Sequence, residues 1–215
     1  TAGAYITTDR SDNQITGFNP GAMAFPCGVD VGTIEGKIGV AIVSPGNPED
    51  MTGLCRRYRE LSIPYICDPG QQIPILPAGQ LVEMLTGSAI LISNDYELEM
   101  IQKATGLTTT DLLNRTGGLI TTLAEKGSMV ISREGNTEIP AVTPQVVQDP
   151  TGAGDAFRAG FIYGFVRSKS LSDCARLGAA AASFAVEKVG TQEHRFTFPE
   201  FKNRYELFFK SDMPA

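Results

Sequence analysis

Short runs of apolar residues alternate with stretches of helical periodicity from residue 37 onward, and this alternation limits the fold more than any other feature. Residues 38–43 have the composition of a buried strand, and apolar side chains between Met51 and Leu61 then recur at the spacing of one helix face. Further strands are predicted at 64–67, 89–93, 118–123, 129–132 and 146–148, and further helices at 78–85, 95–104, 154–167, 172–187 and 199–209. Strands that alternate with helices predict an α/β fold whose mainly parallel sheet is covered on both faces.

The beginning of the chain follows a different pattern. Residues 4–8 and 14–18 alternate between apolar and polar side chains and predict two strands, and the polar residues 9–13 predict the turn between them. The segment 133–136 also has the composition of a hairpin turn. Ser172 is expected to be the N-cap of the helix that follows it.

Composition restricts the class of partner. The chain has 215 residues, 42% of them hydrophobic and 20% charged, which predicts one globular domain or one domain with an appendage. Lys and Arg number 18 against 24 Asp and Glu, a net charge of −6, so neither nucleic acid nor an anionic membrane is expected to be its main partner. Because the sequence has neither a membrane-spanning apolar run nor a signal pattern, we expect a soluble, cytoplasmic protein.

Cysteine and histidine are too sparse to support several kinds of chemistry. The four cysteines stand at 27, 55, 67 and 174, no two of them form a C-x-x-C pair, and His194 is the only histidine. This distribution argues against a Cys/His zinc site and against a mechanism built on a Ser-His or Cys-His pair. We expect reduced, mostly buried thiols in a reducing compartment, and a loop position for His194.

A glycine-containing loop at 149–154 is the strongest chemical signal, because it follows a predicted strand and leads directly into an apolar helix. Gly152 and Gly154 allow a tight turn, and the free N–H groups of the first helical turn would form an anion site for a transferring phosphoryl group. Asp155 would then be the base that accepts a proton from a substrate hydroxyl. Such turns and an Asp in a first turn also occur without any function, so spacing alone leaves both interpretations open.

Two other phosphate-binding loops do not fit this sequence. The P-loop pattern needs Gly-Lys followed by Ser or Thr, which does not occur here at the required spacing. The dinucleotide fingerprint needs a third glycine where Phe157 stands.

Residues 149–161 closely resemble the C-terminal signature of the ribokinase-like (PfkB) family of carbohydrate and nucleoside kinases. Residues 94–97 resemble the N-x-x-E motif of this family, and 122–127 resemble its T-L-G-x-x-G nucleotide loop, with alanine in place of the middle glycine. The run 178–186, together with Gly190, resembles the helix and loop beside the adenine. Residues 5–23 and 68–72 are most similar to bacterial adenosine-kinase-like members.

The resemblance implies a ribokinase-like three-layer α/β/α fold with a mostly parallel sheet and a remnant of a small β lid. Residues 1–25 would be the lid-derived hairpin and its return into the core, and 26–215 the nucleotide-binding domain. It implies a small-molecule substrate, and it allows a homodimer.

The activity implied by the resemblance is ATP-dependent, Mg²⁺-requiring phosphoryl transfer to a hydroxyl of a nucleoside, adenosine first. A furanose sugar, as for ribokinase or fructokinase, is the alternative acceptor. Asp155 would be the base, with Gly152, Ala153 and Gly154 as the anion hole. The implied nucleotide-binding residues are Asn94, Glu97, Thr122, Ala124, Gly127, Ala179, Ala182 and Gly190. Glu97 would hold Mg²⁺ through phosphate or water, and Asp149 and Thr151 a monovalent cation such as K⁺.

Several of these residues have structural interpretations that remain open beside the functional ones. Asn94 and Glu97 also form a good capping-box pattern. Asp149 precedes a proline and suits a turn. Ala124 either changes the nucleotide loop or is harmless, and the alanines at 179–182 suit close helix packing as well as a ligand wall.

The family pattern also has a substantial N-terminal segment ahead of the point where this sequence begins, with substrate-binding residues and much of the lid. Two hypotheses follow from this difference. The sequence is a fragment of an active kinase, or it is a truncated, non-catalytic nucleotide-binding or scaffold subunit.

Overall fold

The computed structural model describes residues 1–8, 14–34, 36 and 38–214. Strands β1 (Gly3–Thr8) and β2 (Gln14–Asn19) form an antiparallel pair in which Gly3 lies beside Asn19. The two strands predicted at the start of the chain are therefore confirmed, while the turn predicted at 9–13 lies outside the described residues. Tyr5 and Ile15 of this pair are largely exposed.

A six-stranded sheet forms the centre of the rest of the structure, with its strands in sequential order. The strands are β3 (Ala41–Val43), β4 (Tyr65–Cys67), β5 (Ile90–Asn94), β6 (Leu119–Thr122), β7 (Ser128–Ser132) and β8 (Gly135–Ile139). The first four are parallel, and β7 and β8 continue the sheet in antiparallel pairing. The predicted α/β class with a mostly parallel sheet is confirmed.

Seven α-helices cover this sheet within the described residues. They are α1 (Pro48–Glu60), α2 (Ala78–Leu85), α3 (Asp95–Thr105), α4 (Thr109–Arg115), α5 (Ala153–Phe165), α6 (Leu171–Ala185) and α7 (Phe198–Phe209). Right-handed crossovers between sequential parallel strands place their helices on one face of a sheet. Helices α1–α4 accordingly belong to one buried cluster, and α5–α7 to another.

The strands alternate between these two clusters with the expected period of two. Ile66, Ile92 and Ile120 belong to the cluster of α5–α7, whereas Cys67 and Leu91 belong to that of α1–α4. The prediction that helices cover both faces is therefore confirmed.

Helices α5 and α6 approach each other closely because glycines line their contact. A Cβ atom on Gly160 would lie 2.5 Å from the Leu177 carbonyl oxygen, and one on Gly178 would lie 2.8 Å from the Phe157 carbonyl oxygen. Backbone atoms therefore take part directly in this contact, together with the Phe157 ring beside Gly178.

Three local predictions are wrong. The first strand of the large sheet covers 41–43 rather than 38–43. Residues 146–148 form no strand: Val146 and Val147 are exposed, and the Gln148 N–H donates to the Val186 carbonyl at the end of α6 instead of to the sheet. The N-cap of α6 is Ser170, whose Oγ accepts from the Asp173 N–H at 3.1 Å, and not Ser172.

Helix α4 is an element that the sequence patterns did not indicate. It has only seven residues, too few to establish a period, but Thr108 and Asp111 form a capping box at its start.

The sulfur and imidazole groups lie where the sequence suggests. Cys55, Cys67 and Cys174 are buried, Cys27 is exposed, and all four thiols are free. His194 lies in the loop between α6 and α7, with its ring stacked near that of Phe196. No helix in the described part of the chain is both long enough and apolar enough to cross a bilayer.

Candidate active site

Polar side chains end all four parallel strands on the face that carries α5. In each strand an isoleucine of the α5–α7 cluster stands two residues before a polar residue, so both point to the same face. The polar residues are Ser44, Asp68, Asn94 and Thr122. Because the carboxyl ends of parallel strands meet at one edge, this arrangement builds a polar floor beneath the start of α5.

Asp68 and Arg158 form a buried ion pair on this floor. Arg158 Nη2 donates to Asp68 Oδ1 at 2.7 Å, and its Nε lies 2.6 Å from Oδ2. Ser44 Oγ also donates to Oδ2, at 3.1 Å. The side chains of Asp68 and Arg158 are only 3% and 18% exposed. Burial raises the pKa of Asp68, while the Arg158 charge and the hydrogen bonds from Arg158 and Ser44 oppose that rise.

Sequence reasoning did not identify Ser44, Asp68 or Arg158 as site residues. The pair joins positions 90 residues apart, which no local motif can report. The available signal was the recurrence of isoleucine two positions before a polar residue at every parallel strand end.

The glycine loop leads into α5 as predicted. Gly152 caps the helix with φ of 88°, a left-handed conformation that favours glycine, and a Cβ there would lie 3.0 Å from the Thr191 carbonyl oxygen. The Ala153 N–H donates to the Pro150 carbonyl, whereas the backbone N–H groups of Gly154 and Asp155 have no acceptor in the described part of the chain. Two amides of the first turn are thus free for an anion. Ala153 forms part of the turn, but its own N–H is already used.

Asp155 stands at the surface of the same turn. Its side chain is 84% exposed, and its Oδ1 lies 3.9 Å from Arg158 Nη1. Among the described residues no hydrogen bond occupies its carboxylate, so the group is free to meet a ligand at this edge of the sheet.

Asn94 and Glu97 form the capping box of α3. Asn94 Oδ1 accepts from the Glu97 N–H at 2.7 Å, and Glu97 Oε2 accepts from the Asn94 N–H at 2.9 Å. Burial raises the pKa of Glu97, the Asn94 N–H lowers it, and the nearby Asp68 charge raises it further. The capping interpretation is therefore confirmed, and Glu97 lies close enough to Asp68 and Arg158 for their charges to act on it.

Asp149 connects the glycine loop to the loop that follows α6. Its Oδ1 accepts from the Thr151 N–H and its Oδ2 from the Gly190 N–H, each at 2.9 Å. These hydrogen bonds, that from Gly190 first, hold the pKa of Asp149 below its ordinary value. Asp149 therefore does more than end a local turn, since it brings Gly190 to the start of α5.

The loop at 122–127 follows β6 at the same edge. Ala124 has φ of 52°, a left-handed conformation that is strained for alanine, at the position where the resembling motif has glycine. Gly127 has φ of 98°, and a Cβ there would collide with the Ile139 carbonyl oxygen. The Leu123 N–H closes the loop by donating to the Gly127 carbonyl at 2.8 Å.

The predicted residues of α6 lie in the layer behind this edge. Ala179 is buried in the cluster of α5–α7, as close helix packing requires, and Ala182 is half-buried against that cluster. Gly190 beyond the helix has φ of 97°.

In the described residues, no group of three or more His, Cys, Asp or Glu side chains could hold a metal ion by itself. A divalent cation at this edge would need oxygens from a phosphate or from water to complete its shell, which is the usual arrangement for Mg²⁺.

Comparisons with known proteins show which family and fold the chain resembles. Residues 1–196 match the family model described as "pfkB family carbohydrate kinase". The nucleoside kinase of Methanocaldococcus jannaschii is 33% identical over 204 residues, 94% of this chain. The solved nucleoside kinase of Burkholderia thailandensis in complex with inosine is 31% identical and superposes with a TM-score of 0.90, covering 99% of this chain and 70% of that one. The same kinase in complex with ADP-inosine gives a TM-score of 0.91, at 30% identity, over 100% of this chain and 67% of that one.

The chain is shorter than the curated proteins that it resembles. It spans 66% of the length of the M. jannaschii kinase. It spans 61% of a second nucleoside kinase, from Methanothermobacter thermautotrophicus, which is 30% identical over 88% of this chain.

Proposed function

The chain belongs to the pfkB family of carbohydrate kinases, with a ribokinase-like α/β fold, and on this basis we propose that the protein carrying it transfers the γ-phosphoryl group of ATP to a hydroxyl of a nucleoside. The proposal concerns the whole protein, of which this chain supplies the sheet, the glycine loop and the candidate nucleotide-binding segments.

The observation that carries the proposal is the exposed Asp155 carboxylate beside the free amides of its own helical turn. A carboxylate in this place can accept the proton of an attacking hydroxyl. The N–H groups of Gly154 and Asp155, with the positive end of the α5 dipole, can stabilise negative charge on the phosphoryl group. Gly152 and Ala153 shape the turn that presents these amides.

Mg²⁺, when bound, would neutralise charge on the phosphate oxygens. Glu97 fits this requirement because only one of its two carboxylate oxygens accepts a hydrogen bond within the described residues. Its Oε2 already accepts from the Asn94 N–H. We assign Glu97 to Mg²⁺ through water or phosphate, with Asn94 orienting it.

The nucleotide would lie between the loop of Thr122, Ala124 and Gly127 and the end of α6. The hydrogen bond from Gly190 to Asp149 supports this assignment, since it holds the loop after α6 against the glycine loop. Ala179 and Ala182 would form the part of the helix that lies behind the adenine ring.

A monovalent cation such as K⁺ is assigned to the neighbourhood of Asp149 and Thr151. The family resemblance supports this assignment, and the Asp149 carboxylate, held by the Thr151 and Gly190 N–H groups, supplies a negative charge there. Turnover in potassium chloride should then exceed that in choline chloride at equal ionic strength, and equal rates would remove the assignment.

A nucleoside acceptor is supported by two relatives that are nucleoside kinases. Adenosine is the first candidate because residues 5–23 and 68–72 are most similar to adenosine-kinase-like members. Inosine is the second, because the B. thailandensis kinase was solved with it. A furanose sugar is the alternative class, supported by the family description of carbohydrate kinases.

The domain bounds, the location in the cell and the oligomeric state are also part of the proposal. Residues 1–25 are assigned to a lid-derived hairpin and its return, and 26–215 to the nucleotide-binding domain. A cytoplasmic location and a homodimer are also proposed. Fractionation of cells and light scattering on the purified protein test the last two directly.

The test of the proposed function is ADP release by the protein at its natural length, with its intact mass measured on the same sample. The acceptor panel contains adenosine, inosine, ribose and fructose, with a reaction lacking acceptor as control. Nucleoside-dependent release supports the proposal. Release with sugars alone would replace the nucleoside by a sugar, and no release with any acceptor would favour a non-catalytic nucleotide-binding or scaffold subunit.

A further inference from the structure

Arg158 is placed to act on both carboxylates of the candidate site. It follows Gly154 by four residues and Asp155 by three, so all three lie on one side of α5. Helical side chains point toward the N-terminus of their helix, which brings the guanidinium back alongside the first turn.

Gly154 provides the room for this arrangement. A Cβ atom at position 154 would lie 2.7 Å from Arg158 Nη1, closer than such atoms approach one another. The guanidinium therefore packs directly against the backbone of the turn that offers its N–H groups to an anion.

Asp68 holds the guanidinium from the opposite side. Its buried carboxylate receives contacts from Nη2 and Nε, while Nη1 remains directed toward Asp155 at 3.9 Å. A planar fork of donors can contact two groups at once, which the single ammonium of lysine cannot do with the same geometry. An unpaired Asp68 carboxylate at this depth would be strongly unfavourable, so the pair is expected to persist in the folded protein.

We propose that Arg158 is a positioning residue for phosphoryl transfer: anchored by Asp68 at the end of β4, it fixes the first turn of α5 and the direction of the Asp155 carboxylate. The proposal rests on the proposed kinase function and adds a residue pair to it. Arg158 acts through Asp155 and needs no contact with either substrate.

Three variants of the full-length protein test this role: Arg158→Gln, Arg158→Lys and Asp68→Asn. Misplacing a catalytic group by about 1 Å costs on the order of 100-fold in rate, so we expect Arg158→Gln to lower kcat by about 10- to 100-fold. The KM for ATP and the Kd for ADP should stay within about threefold, because the segments assigned to the nucleotide, the loop at 122–127 and the end of α6, are unchanged. Arg158→Lys should recover part of the lost kcat.

The pairing with Asp68 predicts a second, separate result. Asp68→Asn should lower kcat as Arg158→Gln does, and the double variant should be no worse than the poorer single variant, because both substitutions break the same interaction. Arg115→Gln, on the exposed end of α4, makes the same charge change outside the site and should leave kcat unchanged.

The outcomes separate the two proposals. A wild-type protein that releases ADP, with Arg158→Gln at the wild-type kcat, overturns the positioning role alone. Equal losses in kcat and in ADP affinity, with a lowered unfolding temperature, also overturn it, since they indicate a merely structural pair. A wild-type protein that releases no ADP with any acceptor overturns the proposed function and this inference with it.

Discussion

Asp155 is the residue whose role can be tested with the least disturbance of the fold, because its side chain is mostly exposed. Asp155→Asn removes the base but keeps the volume of the side chain. We expect kcat to fall by about 100- to 10,000-fold, the usual contribution of a general base. ADP affinity from calorimetry should be unchanged, and the free energy of unfolding should change by less than about 0.5 kcal/mol. Wild-type turnover in this variant would remove Asp155 from the mechanism.

Ala124 and Gly127 form a matched pair for a test of backbone strain. Alanine in the left-handed region costs about 1–2 kcal/mol, and the extra freedom of glycine in the unfolded chain offsets about 0.5–1 kcal/mol of that. We therefore expect Ala124→Gly to raise the free energy of unfolding by about 0.5–1 kcal/mol in urea titrations.

Gly127→Ala should do the opposite, because its Cβ would meet the Ile139 carbonyl oxygen. A loss of more than about 2 kcal/mol is expected. A Gly127→Ala variant that is as stable as the wild type would contradict the backbone conformations described for this loop.

At the scale of elements, Ser170 and Ser172 allow a direct test of where α6 begins. Ser170 Oγ accepts from the Asp173 N–H, so Ser170→Ala should cost about 1 kcal/mol of unfolding free energy. Ser172→Ala, two residues further into the helix, should change it by less than about 0.5 kcal/mol. A larger effect at Ser172 would restore the helix start expected from the sequence.

Most elements could be predicted from the sequence because the spacing of their apolar residues matches the face that each element buries. The helix Ala78–Leu85 has the predicted bounds, and α3 ends within one residue of its predicted end. The strand expected at 146–148 failed because β-branched residues favour a strand only where a neighbouring strand is available. Contacts between distant positions, such as Asp68 with Arg158, depend on how the elements pack, and no local pattern contains that information.

At the scale of the whole molecule, Glu97 links stability to pH. Its pKa is raised above the ordinary value of 4.5, so the protonated form is favoured in the folded state. This stabilising contribution is present below the unfolded pKa and is lost as pH rises through the folded pKa. Glu97→Gln keeps an oxygen for the Asn94 N–H and removes the charge.

We therefore expect Glu97→Gln to be more stable than the wild type at pH 7 and to converge with it toward pH 4, in urea titrations at a series of pH values. The same variant should lose turnover at pH 7 if Glu97 holds Mg²⁺. A stability difference that does not depend on pH would show that burial of the charge is not its cause.

The contact of Gly160 with Leu177, made by backbone atoms, has a consequence for how this protein can vary. No side chain stands between α5 and α6 at this point to take up a small displacement. We therefore expect a tilt of one helix to be shared by the other, so that Asp155 and the alanines assigned to the nucleotide wall move together. Substitutions along this contact should change ATP affinity and turnover in a correlated manner, in contrast to Asp155→Asn and Arg158→Gln, which are expected to lower turnover alone.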